Sequence, residues 1–251
     1  LNRNYDHYWN TCPTTQPGSS AFSESETLAN SIYMQNEVAD ADLYVTMHTG
    51  VWIMLYPWGK WPEQPSDWEL FHHVRDEVNS NISDIPIRNA NQGLYPNCGT
   101  SRDYGYGVMG FPTFTFETDD EQFLLGTVEP LSERLGEELD VMNYLIQNVW
   151  YWRARLQVNS IHIEDGYLRL DVDNLGHATT RNATLIQTDE NGVAIWESTN
   201  FTVNATSNAV LDLGLYYGGN ENIGNWSLYY QKRVIDSSTW VTESVGADKI
   251  E

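Results

Sequence analysis

The sequence predicts two domains, a mixed α/β domain over residues 1–156 and an all-β domain over residues 157–251. Three observations carry that reading. Up to about residue 156, amphipathic helical patterns alternate with apolar strand-like runs, which is how helices laid over a sheet are written. From Val158 onward only short alternating segments separated by turn dipeptides remain. With 41% hydrophobic residues, 10 Trp and 15 Tyr, the chain has ample material for packed cores and is far from disordered composition.

In the first domain, SESETLANSIYMQNEVA predicts a helix: Ser23 and Glu26 have capping-box spacing, and Leu28, Ile32, Met34 and Val38 form a rough apolar face. ADLYVTMH and WIMLYPW read as strands, the second so continuously apolar that burial on both faces is expected. A second capping box, Ser66 with Glu69, opens DWELFHHVRDEVNSNI, where Leu70, Phe71, Val74 and Val78 define a helix over a sheet. A loop rich in Asn and Gly leads to the strand FPTFTFET. The long helix PLSERLGEELDVMNYLIQNVWYW follows, with Leu131, Leu135, Leu139, Met142, Leu145 and Val149 on a 3.6-residue period.

The second domain opens with SIHIEDGYLRLDVDNLG, which alternates on both sides of Asp165-Gly166, a two-residue hairpin signal. TLIQTDENGVAIW repeats the device at Asn191-Gly192, and AVLDLGLYY and WSLYYQKRV supply later strands. Roughly seven short strands over this length are what an immunoglobulin-like sandwich needs.

Charge narrows the function classes. Asp and Glu total 35 against 13 Lys and Arg, a formal net charge of −22, so nucleic acid is excluded as an expected partner. The basic residues include three lysines, Lys60, Lys232 and Lys249, and the acids are scattered. Such a surface suits high salt, where screening removes self-repulsion, or belongs to an ordinary acidic secreted protein. No apolar run approaches the ~18–20 residues that span a bilayer. Five N-x-S/T acceptors, at Asn81, Asn182, Asn200, Asn204 and Asn225, lean toward an extracellular or cell-surface glycoprotein. Cys12 and Cys98 permit one disulfide and no thiolate zinc site; pairing is expected in an oxidising compartment, the alternative being two separate buried thiols.

One set of residues suggests chemistry. His48 and Glu117 each end a strand, Arg3 lies in an Asn-Arg-Asn tripeptide, and Tyr95 and Arg102 lie in the loop before Glu117. Ligands of open α/β sheets bind at the carboxyl ends of strands, so His48 and Glu117 can face one crevice. Taken singly each has a plainer reading: a structural strand-end His, the first exposed residue after an apolar strand, and a surface ion pair.

The segments LNRNYD, AFSESETLAN, YVTMHTGVWIMLYPWG and GTSRDYGYGVMGFPTFTFE resemble, in order and approximate spacing, the latter two thirds of the zinc carboxypeptidase fold of the carboxypeptidase A/B/T type. The resemblance implies a Zn²⁺-dependent hydrolase of C-terminal peptide bonds, with peptide or protein C-termini as partners. Asn2 and Arg3 match the pair that grips the terminal carboxylate, a task suited to a bidentate guanidinium. His48 matches a zinc ligand, and Glu117 matches the carboxylate that takes a proton from the zinc-bound water. Tyr95 matches a mobile tyrosine that closes over the bound residue. Arg102 matches the floor of the side-chain pocket, which implies preference for acidic C-terminal residues unless the guanidinium turns to its neighbour Asp103.

Departures are also visible. The family's H-x-x-E zinc motif is absent; His73 and Asp76 have H-x-x-D spacing on an expected surface helix, and His72, His162 and His177 show no ligand spacing. Gly50 stands where the family often has a bulky aromatic. The expectation is therefore the C-terminal part of a longer carboxypeptidase, its N-terminal part missing and in association with it. LRLDVDNLGHATTRNATL resembles immunoglobulin-like modules of archaeal and bacterial surface proteins, and implies a spacer or attachment role. Asp171 and Asp173 are candidates for calcium, with water-facing strand acids the commoner reading. Rival functions are a non-catalytic cell-surface or structural protein of the same fold and an amidase acting on cell-wall peptides.

Overall fold

A computed structural model describes residues 1–13, 16–118, 128–218, 225–231 and 240–250. The chain divides into two compact units, Leu1–Trp152 and Arg153–Glu251. The division falls before the sequence-based boundary because the four residues after Trp152 already belong to the second unit: Arg155 donates its N–H to Asn174 Oδ1 and its carbonyl accepts from Leu175 N.

The first unit is built on a four-stranded mixed sheet. In chain order its elements are α1 (Ser25–Asn36), β1 (Tyr44–His48), β2 (Trp52–Tyr56), α2 (Trp68–Asn81), β3 (Ile87–Asn89), α3 (Ala90–Gly93), α4 (Ser101–Gly107), β4 (Thr113–Thr118) and α5 (Val128–Gln147). The strand order is β1-β4-β2-β3, with β4 parallel to β1 and antiparallel to β2, and β2 parallel to β3. The apolar run of β2 is buried from Ile53 to Tyr56, as its composition predicts.

Helix α2 follows its sequence pattern closely. Leu70, Phe71, Val74 and Val78 are all buried, and Phe71 stacks on Tyr56 at 5.1 Å and meets Phe114 edge-on at 5.5 Å. Each such side chain contributes about 1.5–3 kcal/mol by leaving water. Its N-cap position falls one residue after the expected Ser66. Asp67 occupies the N-cap position without a side-chain cap, because its carboxylate accepts instead from the Tyr106 hydroxyl at 2.7 Å.

Two other helices bury different faces from those expected. In α1 the inward residues are Thr27, Ser31 and Met34, whereas Leu28 and Ile32 are exposed. The buried Asn4 amide explains this. Its Oδ1 accepts from Thr27 Oγ1 at 2.6 Å and from Glu24 N, while Ser23 Oγ accepts from Asn4 Nδ2 and donates to Glu24, so the Ser23–Glu26 box is replaced. In α5, Val141 and Leu145 are buried while Leu135 and Leu139 lie outside; the side chain of Leu131 is outside the described residues. The segment expected to be a loop before β4 holds β3, α3 and α4.

The second unit contains β5 (Leu156–Glu164), β6 (Tyr167–Asn174), β7 (Thr180–Thr188), β8 (Ala194–Glu197), β9 (Phe201–Val203), β10 (Ser207–Leu215), β11 (Asn225–Gln231) and β12 (Trp240–Val245). Residues 232–234 of the expected strand WSLYYQKRV lie outside the described residues. One sheet has the order β10-β6-β5; the other runs β12-β11-β7-β8, with β9 also on β7. Residues from both sheets, including Leu170, Val172, Leu185, Trp196, Trp226 and Tyr230, share one core. Asp165 and Gly166 both have positive φ, 52° and 83°, the conformation a two-residue turn between β5 and β6 demands. Between β7 and β8 the loop is longer, because Asp189 Oδ1 gathers the N–H groups of Asn191 and Val193.

Candidate active site

The expected site residues Asn2, His48 and Glu117 converge at one end of the sheet. His48 is the last residue of β1 and pairs in the parallel ladder with Glu117, near the end of β4. Parallel partners present their side chains to one face at the carboxyl end of the sheet. His48 Nδ1 lies 3.7 Å from Glu117 Oε1. On the other side of the imidazole, Asn2 Nδ2 is 3.3 Å from Nε2, and Asn2 Oδ1 accepts from Ser101 N at 2.9 Å. Asn2 thus links the start of α4 to the end of β1. A cavity of about 180 Å³ opens beside them, lined by Asn2, Glu26, Asn30, Thr46, His48 and Ser101 among others.

Arg3 and Tyr95 form a second pair. Arg3 Nη2 donates to the Tyr95 hydroxyl at 3.0 Å, and Nη1 donates to the carbonyl of Asn2. Tyr95 is 50% exposed, so this pair sits at the surface, where a ring hydroxyl can move. Cys12 and Cys98 are disulfide-bonded, tying the segment after Arg3 to the segment after Tyr95.

Arg102 lies on α4, not in a loop, and is 2% exposed. Its Nε donates to Asp103 Oδ1 at 2.9 Å, the neighbour pairing left open in the sequence. Nη2 donates to Asn97 Oδ1 at 2.9 Å and Thr100 Oγ1 at 3.5 Å, and Nη1 to Thr115 Oγ1 at 3.4 Å. Asp103 Oδ2 in turn accepts from Gly59 N at 2.9 Å. A Cβ at Gly59 would stand 2.5 Å from Arg102 Nη2, so only glycine lets the chain pass this close. Asn97, Thr100 and Thr115 are parts of the arrangement that sequence reasoning missed; Thr100-x-x-Asp103, a capping spacing realised by Asp103 N donating to Thr100 Oγ1, was the available signal.

The electrostatics follow from burial. Desolvation raises the Glu117 carboxyl to about 7, against the pull of the Arg102 and Arg3 charges. His48 is held below its ordinary value, first by burial and then by the same two arginines. A carboxyl lifted out of the ordinary carboxylate range thus stands beside an imidazole biased toward its neutral form.

A family model described as zinc carboxypeptidase matches residues 1–133, more than half of the chain. The chain belongs to the zinc carboxypeptidase family. It is 27% identical to zinc carboxypeptidase A 1 of Drosophila melanogaster over 176 residues, covering 60% of this chain and 40% of that protein. It is 32% identical to carboxypeptidase B of Helicoverpa zea over 133 residues, 46% of this chain and 31% of that protein. Among solved structures, thrombin-activatable fibrinolysis inhibitor aligns with a TM-score of 0.51 at 24% identity, covering 59% of this chain and 42% of the other, which shows a shared fold. The chain therefore spans less than half the length of the two curated relatives and of the solved structure.

Membership implies zinc, and the donor set can be tested against it. A catalytic zinc takes three protein ligands. Among the described residues no group of three His, Cys, Asp or Glu side chains can hold a metal. The chain brings one imidazole, His48, and one carboxylate, Glu117, so its described residues alone do not fit a complete zinc shell. His73 and Asp76, on α2, belong to no such group either.

Proposed function

We propose that the protein carrying this chain is a metallocarboxypeptidase that hydrolyses the C-terminal peptide bond of peptides or proteins. The observation that carries the reading is the pairing of His48 with Glu117 at 3.7 Å across the ends of two neighbouring parallel strands, within a chain of this family. His48 supplies one metal ligand, and the remaining ligands belong to residues outside those described. Glu117 holds and moves the proton: a carboxyl lifted to about 7 takes a proton from water and returns it to the leaving amine near neutral pH. Arg3 receives the substrate's terminal carboxylate as a guanidinium fork, and Asn2 fixes the imidazole from behind.

For the terminal side chain we propose a preference for acidic residues, read by Arg102. Asp103 occupies the Nε edge and holds the guanidinium in place, while the Nη edges meet uncharged oxygens of Asn97, Thr100 and Thr115 that a carboxylate displaces. The second unit serves as an immunoglobulin-like spacer or attachment module, and the protein works outside the cell or at its surface.

The test is zinc content and peptide hydrolysis of the full-length protein beside its Glu117→Gln variant. One zinc per molecule with hydrolysis lost in the variant supports the enzyme; a zinc-free, inactive full-length protein overturns it in favour of a non-catalytic relative. Hydrolysis confined to cell-wall peptides would instead favour the amidase.

A further inference from the structure

A groove of about 400 Å³ lies in the first unit between the end of α2 and the last turns of α5. Its size falls in the ~300–1,000 Å³ range of small-molecule sites. Its walls are Asn81, Ile82, Asp140, Asn143, Tyr144 and Gln147. Three carboxamides and a carboxylate exchange hydrogen bonds with vicinal hydroxyls, and the Tyr144 ring offers a flat apolar face. This is the chemistry of a neutral, hydroxyl-rich ring. Among the described residues no basic side chain lines the groove, which does not favour phosphate.

Asn81 is also the acceptor of the tripeptide Asn81-Ile82-Ser83. It is exposed at the last position of α2, where its Nδ2 donates to Glu77 Oε2 at 3.1 Å. A carboxamide nitrogen has two hydrogens, so after substitution one remains to keep that bond and fix the linkage over the groove. Two of the other acceptors differ in setting, Asn182 being half-buried in β7 and Asn200 Oδ1 already accepting from Thr184 Oγ1 at 2.8 Å, whereas Asn204 and Asn225 are exposed but do not line this groove. The Cys12–Cys98 disulfide belongs to the oxidising compartments in which secreted chains are processed.

We propose that Asn81 is an N-glycan attachment site whose first sugar seats in this groove against Asn143, Tyr144 and Gln147. In the transfer, Asn81 Nδ2 forms a bond to the anomeric carbon of a lipid-phosphate-linked oligosaccharide. The carbon–oxygen bond to the lipid phosphate breaks, the phosphate leaves with its electron pair, and the amide loses one proton to base.

Site-resolved mass spectrometry on the protein secreted by its native host tests this, with wild type beside Ser83→Ala and Asn143→Ala/Gln147→Ala. Asn143 and Gln147 are exposed, so their truncation leaves the fold intact. The wild-type Asn81 peptide carries a glycan, and Ser83→Ala loses that mass while the other acceptor peptides are unchanged. Peptide N-glycosidase releases the Asn81 glycan several-fold faster from the folded double variant than from folded wild type, and equally fast once both are denatured. An unmodified Asn81 peptide, or a mass that survives Ser83→Ala, overturns the attachment site. Equal release from the two folded proteins overturns the seating.

Discussion

His48 and Glu117 are ladder partners whose imidazole and carboxylate approach to 3.7 Å, so each is held by a strand and not by a loop. Backbone hydrogen bonds on both sides of β4 fix the carboxylate, and Asn2 fixes the far side of the ring.

The raised Glu117 carboxyl makes folding stability depend on pH. Its folded value is about 7 against an ordinary 4.5, so the folded state holds the proton more tightly and stability falls as pH rises through that window. The lowered His48 has the opposite slope, common to wild type and variant. In metal-free protein, the stability advantage of Glu117→Gln over wild type should grow between about pH 4.5 and pH 7, read from urea unfolding curves, and level off above. A pH-independent difference would contradict the burial of this carboxyl.

Arg3 is expected to act on substrate binding. In the full-length protein Arg3→Ala should raise KM for peptides by about 10- to 100-fold, the worth of a charge-assisted pair of roughly 1.5–3 kcal/mol. Amidating the peptide's C-terminus should cost the wild-type enzyme a comparable factor and the variant almost nothing, as a double-mutant comparison of kcat/KM will show.

Replacing Arg102 by Met removes the guanidinium while keeping bulk in the buried floor. The kcat/KM ratio for peptides ending in Glu over those ending in Phe should drop by at least about tenfold, a step of ~1.4 kcal/mol. An unchanged ratio would mean that Asp103 consumes the whole charge of Arg102.

The Cys12–Cys98 link spans 86 residues. On the loop-closure account its loss costs about 4–5 kcal/mol. The Cys12→Ser/Cys98→Ser variant should melt well below wild type in calorimetry, and mild reductant should lower wild type to the same level.

The formal charge of −22 sets the salt response. Raising ionic strength from about 0.1 M to about 1 M shortens the Debye length from ~10 Å to ~3 Å, so self-repulsion fades. Thermal unfolding should move upward over that range; a flat or falling midpoint would argue for an ordinary acidic protein without a high-salt surface.

What the sequence made legible follows the length of the patterns. Strand-end His48 and Glu117, the apolar β2 and the buried face of α2 could be read because each rests on several residues in a fixed period. Helix α4 could not: its seven residues SRDYGYG hold two glycines and give too few turns for a period, and packing of Tyr104 and Tyr106 overrides their low propensity. Leu28 and Ile32 misled because the Asn4 amide network turned the Thr27–Ser31 side of α1 inward. The Asn2–His48 and Arg102–Asn97 contacts join residues distant in sequence or turn on side-chain direction, which spacing alone does not encode.

Because β4 lies inside the sheet, with β1 on one side and β2 on the other, Glu117 and Arg3 belong to different mechanical regimes. In deuterium-labelling terms, the amides of β4 should be among the last of this unit to exchange, while those around the surface Arg3–Tyr95 pair exchange early. Early exchange at the rim with late exchange in β4 would mean that what is gripped can be retuned while the backbone under the carboxylate stays fixed, the Arg3 charge remaining the link between them.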